Sequence, residues 1–480
     1  MTGILFLSLS TLSGALFAGA ALGGGNRLLA AALGPALGAG VSSLCFFLLL
    51  WSGVAAPAVV WTAQTGLLGL AAFLWWRGRA PAAESPASTS AGFALWTLRA
   101  AVLLSVALLV MDISATTAAT PDGDWDAFAI WNLRARFLAA GPPAWEGAIG
   151  AGTNAGLTGA SHPGYPLLLS GWIGMSWMVN GSNDPSVAAV AGGLLVVATV
   201  LLLFAALRAL RGEWSGLLAV LLLLATEAFR SQTGSQYADI PLSLFVLAAT
   251  ALFALALRAD TPALWALGGF TAGLAAWTKN EGWPFALCAL LIPLLLRRSR
   301  ILPSLAGFLP PLAVTLLFKT LTPAGSESAF PATFADAFQR LAQAGRWGTV
   351  LGSYLANIGI MGFWYAHPLL LLVILAFALR FSRRQPRSEI ALLAAPPLAL
   401  AAAAFGILLV TTADLAWHTS TSVARLIIQP WPALLLLVFC LLNRPEDSLP
   451  TAAAATATPD APPDRLETPP RRQPGRRAKG

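Results

Sequence analysis

Apolar runs recur along the chain, each ended by a short stretch of glycine, proline or charge. They fall near 3–22, 35–54, 57–76, 96–114, 185–207, 214–229, 239–257, 262–278, 282–296, 302–319, 366–382, 390–410 and 425–443. A helix needs about 20 apolar residues to cross a bilayer core, with a range of about 17–25. In lipid every backbone N–H and C=O must be paired within the segment, which a helix achieves. The pattern therefore predicts an all-α polytopic membrane protein with about thirteen transmembrane helices. Two further apolar stretches, 162–180 and 348–364, would invert every later loop if they crossed. They are predicted as helices lying along or dipping into the outer face, the first as a juxtamembrane element of the first large loop. Trp172, Trp177, Trp364 and Tyr365 suit such an interface.

Composition removes the soluble alternative. The 480 residues are 57% hydrophobic and 10% charged, with mean hydropathy +0.72, whereas soluble domains carry about 25% charged residues. Arg77, Arg79, Arg208, Arg211, Arg258, Arg297, Arg298, Arg300, Arg380, Arg383, Arg384, Arg387 and Arg444 fall on one side of a single threading. By the positive-inside rule that side is cytoplasmic. The loops at 121–184, 230–238, 279–282, 320–365 and 411–424 then lie outside. Three units follow: three additional N-terminal helices at 1–94, a core at 95–444 with outer loops at about 115–184 and 320–365, and a basic tail at 445–480. The tail, rich in Ala, Thr, Pro and Arg, is predicted to be disordered and cytoplasmic. It is suited to anionic lipid; nothing else in the chain supports nucleic-acid binding. Cys45, Cys288 and Cys440 sit inside apolar runs without metal-type spacing and read as small hydrophobes. The N-terminal run lacks a basic leader and reads as a retained span. Lys279, Lys319 and Lys479 are the only lysines among many arginines and alanines, which points to a GC-rich bacterial genome.

Against this background the outer polar residues are few, and each is a functional candidate because charge near lipid is costly. The densest group is Pro121-Asp-Gly-Asp-Trp-Asp-Ala-Phe, with Asp122, Asp124 and Asp126 ahead of Arg134 and Arg136. Clustered carboxylates can hold a hard cation or raise one another's basicity for general-base work. No cofactor is demanded; a divalent cation, Mg or Mn, would take Asp124 and Asp126 as ligands. Residues from Ala127 look helical, so capping of that helix is the plain alternative role for Asp126. The other groups are His162 and Tyr165 in Ser161-His-Pro-Gly-Tyr-Pro166, Arg230, and Tyr237 with Asp239 in Tyr237-Ala-Asp-Ile-Pro241. Lys279 and Glu281 follow in Thr278-Lys-Asn-Glu-Gly282, then Asp414, His418 and Arg425 before the last span. A structural hydrogen bond is the plain reading of His162, and mutual neutralisation that of Lys279 and Glu281. Arg134, Arg136, Arg230, Lys279, Arg340, Arg346 and Arg425 all fall outside, against the usual bias, as an anionic ligand there would require.

The order of these motifs, an acidic first outer loop, an outer His-Pro segment, Tyr237-Ala-Asp-Ile-Pro241 and Thr278-Lys-Asn-Glu-Gly282, resembles the C-type (GT-C) integral-membrane glycosyltransferases. Within that superfamily it is similar to the bacterial protein-mannosyltransferase-like and aminoarabinose-transferase-like branch. The resemblance covers about 95–444 and leaves the first three helices without a role. It implies a helical membrane core and a catalytic aspartate in the first outer loop. It also implies a sugar donor carried on polyprenyl phosphate and action on the outer, periplasmic face of the bacterial cytoplasmic (inner) membrane. The family's usual Asp-Glu pair is absent here; Asp126 matches best by its distance to Ala135-Arg136, with Asp124 as helper. One base must take the acceptor's hydroxyl proton and cations must hold the departing phosphate, a part that suits Lys279, Arg425 and Arg230. The acceptor and the sugar are open. A lipid-linked sugar transporter or flippase, a non-catalytic scaffold and a lipid-linked glycan ligase are the rivals. The gathering of polar residues at outer turns rather than mid-span speaks against transport.

Overall fold

The structure, a computed structural model, describes residues 1–78, 92–150, 162–322, 330–331, 333–363, 366–383 and 386–448. Every regular element among them is helical, apart from an isolated bridge between Phe381 and Leu442. Among the described residues, nine helices are long and apolar enough to cross a membrane: Thr2–Ala21, Arg27–Trp51, Pro57–Arg77, Phe93–Ala119, Pro185–Arg211, Asp239–Ala259, Arg298–Leu321, Arg387–Val410 and Leu415–Leu441. Four of the predicted runs fold as shorter apolar helices: Glu213–Leu224, Pro262–Thr278, Gly282–Leu296 and Pro368–Leu379. The all-α polytopic architecture is thus as the hydropathy pattern requires. Trp364, Tyr365 and the tail from 449 lie outside the described residues.

Close helix contacts rest on small residues, which let backbones approach where no hydrophobic force operates between helices in lipid. A Cβ on Gly269 would sit 2.0 Å from the Ser304 carbonyl oxygen, and one on Gly307 1.8 Å from that of Ala266. These glycines lock Pro262–Thr278 against Ile301–Leu321. Gly14 and Gly38 do the same for the first two helices, with a Cβ on Gly38 2.2 Å from the Ser10 oxygen.

One placement differs from the sequence expectation. Leu168–Asn180 does not lie on a membrane surface: every residue but Asn180 is buried, Trp172 and Trp177 to within 1% exposure. Thirteen residues span too little to cross, and a helix apolar on all sides is covered on all sides. The cover includes the N-terminal helices. Trp172 Nε1 donates to Ser10 Oγ at 2.8 Å, and the Gly3 amide donates to Asn180 Oδ1 at 3.0 Å. Trp177 Nε1 finds the Asp184 carbonyl at 2.8 Å. Ser43, on Arg27–Trp51, donates to the Leu167 carbonyl at 3.0 Å and accepts from Trp277 Nε1 at 3.1 Å. The first helix therefore braces Leu168–Asn180, and the second braces both Leu167 and the helix end that leads into Lys279.

The polar turns divide between two ends of the bundle. At one end Arg99 meets Glu213 at 2.7 Å and Arg300 meets Asp260 at 3.0 Å, while Arg258 caps the Leu210 carbonyl at 2.6 Å. The turns at 120–126, 162–166, 231–239 and 279–281 and the start of the last span gather at the other end.

Candidate functional site

The acidic loop is fixed to the turn before the Asp239 helix. Gly123 adopts φ +77°, where a Cβ would lie 2.7 Å from the Ser235 oxygen and 2.5 Å from Ala127 Cβ, so only glycine fits. The Asp124 amide donates to that Ser235 oxygen at 3.1 Å. Asn132 Nδ2 donates to the Asp122 carbonyl at 2.9 Å and to Gln236 Oε1 at 3.0 Å, and Gln236 Nε2 returns to the Pro121 carbonyl at 3.0 Å. Asp122 is taken by Arg136 at 2.9 Å on the surface.

Asp126 precedes a π-helical turn, Ala127–Trp131, of the kind that frequently marks functional sites. Its carboxylate makes no cap hydrogen bond, so the capping role is not taken. Instead it forms a close ion pair with Arg425 Nη1. The same Nη1 lies 3.9 Å from Asp239 Oδ2, and the guanidinium stacks 5.1 Å from the centre of the Tyr237 ring. Burial pushes the Tyr237 phenol above its ordinary value, against the opposing pull of the Asp126 backbone and Arg425.

Behind this pair sits a buried cluster. Asp239, 1% exposed, accepts from Lys279 Nζ at 3.0 Å and from Gln429 Nε2 at 2.7 Å. Lys279 also reaches Glu281 at 3.1 Å and stands 5.7 Å from the Tyr165 ring centre. The mutual neutralisation of Lys279 and Glu281 exists, but as part of a larger chain: Asp126, Arg425, Asp239, Lys279, Glu281. Burial alone would push the Lys279 ammonium down; the Asp239 and Glu281 carboxylates outweigh it and hold it well above the ordinary lysine value. Two acceptors in the cluster, Glu281 Oε2 and Gln429 Oε1, are buried without a donor, a costly state for a buried polar atom.

The remaining predicted residues divide. Tyr165 packs between Trp131, at 5.4 Å, and His162, at 5.3 Å. Their loop is held by Lys319 Nζ, which donates to the Gly164 carbonyl at 2.6 Å and to Asn280 Oδ1 at 2.8 Å. His418 lies two turns before Arg425 on the same helix and bonds Thr411 Oγ1 through Nδ1 at 2.8 Å. Arg230 is set apart. It faces Asp112 at 3.7 Å and Glu227 at 3.6 Å at one end of an apolar groove of about 610 Å³. Leu108, Leu109, Leu222 and Leu375 help to wall that groove.

Several of the arginines expected outside serve the chain itself. Arg134 donates to the Ala148 and Pro163 carbonyls at 2.7 and 3.2 Å. Arg340 and Arg346 satisfy carbonyls at the end of Arg387–Val410. These contacts satisfy carbonyls that a helix end leaves unpaired. Among the described residues, no group of three His, Cys, Asp or Glu is placed to hold a metal. Gln429 and Lys319 escaped the sequence reading. Gln429 was findable, since an amide four residues after Arg425 shares its helix face and is costly in a span.

Fold and site together define a polytopic membrane protein with a self-paired charge cluster where its polar turns meet. Residues 161–324 match the model of the dolichyl-phosphate-mannose-protein mannosyltransferase family, a family of C-type membrane glycosyltransferases. The matched segment holds His162, Tyr165, Arg230, Tyr237, Asp239, Lys279 and Glu281, and bears out the resemblance read from the motifs; Asp124, Asp126, His418 and Arg425 lie outside it. Searches of curated proteins and of solved structures returned no match.

Proposed function

We propose that the chain moves a sugar from a polyprenyl-phosphate carrier to an acceptor hydroxyl at the outer face of a bacterial cytoplasmic membrane. One observation carries the reading: Asp126, just before a first-loop π turn, shares a guanidinium with the Asp239–Lys279–Glu281 cluster inside the family-matched segment. A base and phosphate-binding cations are what this transfer needs. In the reaction Asp126 takes the acceptor's O–H proton. The freed oxygen bonds to the anomeric carbon as the carbon–oxygen bond to phosphate breaks, and the phosphate leaves with the electron pair. Arg425 faces that phosphate. Lys279, enclosed by two carboxylates, acts as a positioning residue that keeps positive charge beneath the leaving group. Glu281 Oε2 and Gln429 Oε1 supply acceptors for sugar hydroxyls. The groove ending at Arg230 suits part of an apolar polyprenyl tail. These steps use only the chain's own residues and route nothing through a divalent cation.

Native mass spectrometry of gently purified protein tests the reading. We expect a bound polyprenyl phosphate or polyprenyl-phospho-sugar, reduced in Arg425→Ala. A protein that stays folded yet binds no carrier added in excess overturns it.

A further inference from the structure

The cluster poses a problem for an anionic donor. Formally it holds three carboxylates (Asp126, Asp239, Glu281) against two cations (Lys279, Arg425), each cation in contact with carboxylate. A phosphate arriving at such a site meets no spare positive charge from this group. It can be neutralised only if a cation changes partner.

The two cations are not equivalent. Lys279 is 7% exposed and touches Asp239 and Glu281 at 3.0 and 3.1 Å. Releasing it would leave two carboxylates in a dry environment, the costly case for buried charge. Arg425 is more open, at 18%, and so is Asp126, at 23%. Arg425 also has a second set of supports that survive the loss of Asp126. These are the Asp239 oxygen at 3.9 Å and the Tyr237 ring at 5.1 Å. It can therefore turn away from Asp126 without leaving the site. Asp126 can be set free without stranding a deeply buried charge.

We infer that Arg425 is a shared cation: in the ligand-free protein it holds Asp126, and the donor's phosphate takes it over, which releases Asp126 to act as base. The inference rests on the proposed carrier-dependent transfer and adds an order to it. Carrier phosphate must bind before the base is free, so the carboxylate is masked whenever no carrier phosphate occupies the site. Asp126 and the phosphate compete for one guanidinium, and the competition gives a sign that a merely structural role for Asp126 would not give. Removing the Asp126 charge should improve carrier binding.

The experiment is a titration of the purified full-length protein with farnesyl phosphate, followed by native mass spectrometry, for wild type, Asp126→Asn, Arg425→Gln and the double variant. Thermal unfolding checks that each is folded. Asp122→Asn, which removes a surface carboxylate from the same loop, is the control. We expect Asp126→Asn to bind about tenfold tighter than wild type, about 1.4 kcal/mol by the usual conversion. Arg425→Gln should bind at least about tenfold more weakly, the double variant should match it, and Asp122→Asn should stay within about twofold of wild type. If wild type binds and Asp126→Asn binds no more tightly, the shared-cation inference is overturned while the carrier reading stands. If no folded variant and no wild type binds the prenyl phosphate, the carrier reading falls and the inference with it.

Discussion

At the scale of single residues, the site is a chain of charges whose links differ in what they bear. Asp126 makes no structural cap, so its loss should cost chemistry rather than folding. Asp126→Asn is expected to lower transfer by about 10²–10⁴-fold with the melting temperature held, read by product formation beside thermal unfolding. Lys279 is the opposite case. Lys279→Met strands Asp239 and Glu281 and should destabilise the fold by about 3–5 kcal/mol. Its pH dependence has a definite sign. A lysine held above its ordinary value of 10.5 contributes stability that is complete below that pH and fades only as pH rises through the raised value. The melting difference between wild type and Lys279→Met should therefore stay constant from about pH 6 to about pH 10; a difference that shrinks across that range contradicts the assignment. The acidic loop, Lys279 and Arg425 stood out in the sequence because charge is scarce there. Which partner each would take did not. Arg134, Arg340 and Arg346 have the composition of an anion site, but backbone carbonyls brought near by folding claim them.

At the scale of elements, hydrophobic period gave the helices but not their neighbours. The 168–180 stretch is apolar on all faces, a pattern that fits a membrane interface, a span or an internal helix equally well. Only its length and the tryptophan partners Ser10 and Asp184 decide for the interior. The small-residue contacts are likewise visible as glycines but not as contacts. Gly307 and Gly269 each lie where a side chain would strike backbone, whereas Gly352 faces open space. Gly307→Val is expected to destabilise by at least about 1–3 kcal/mol through overpacking. Gly352→Ala should be neutral or slightly stabilising; equal melting temperatures for the two would refute this packing. Ser43 ties two site-bearing segments through one hydroxyl. Ser43→Ala leaves the Trp277 indole short of a partner, at about 1–3 kcal/mol, while the Leu167 carbonyl keeps the Gly171 amide at 2.6 Å.

At the scale of the whole molecule, the polar turns that carry the candidate site share one end, and the Arg99, Arg258 and Arg300 contacts share the other. The positive-inside rule then gives a prediction for orientation. In a background with Cys45, Cys288 and Cys440 replaced, Ser231→Cys should react with an impermeant maleimide on intact spheroplasts, and Arg298→Cys only after lysis. The reverse pattern would place the site inside. The fold class was legible because lipid permits so few solutions for the backbone. The site was legible as a set of turns; its joining was not, because the turns are far apart in the chain. Asp126 and Arg425 are 299 positions apart. A ribosome adding about 5–20 residues per second delivers the acidic loop well before the arginine that holds it. Through that interval the growing chain carries the Asp126 carboxylate without the Arg425 counter-ion of the last span. Synthesis itself is thus a checkpoint: a product cut short after Val410 could be inserted and abundant, yet it would lack the pairing that sets its base.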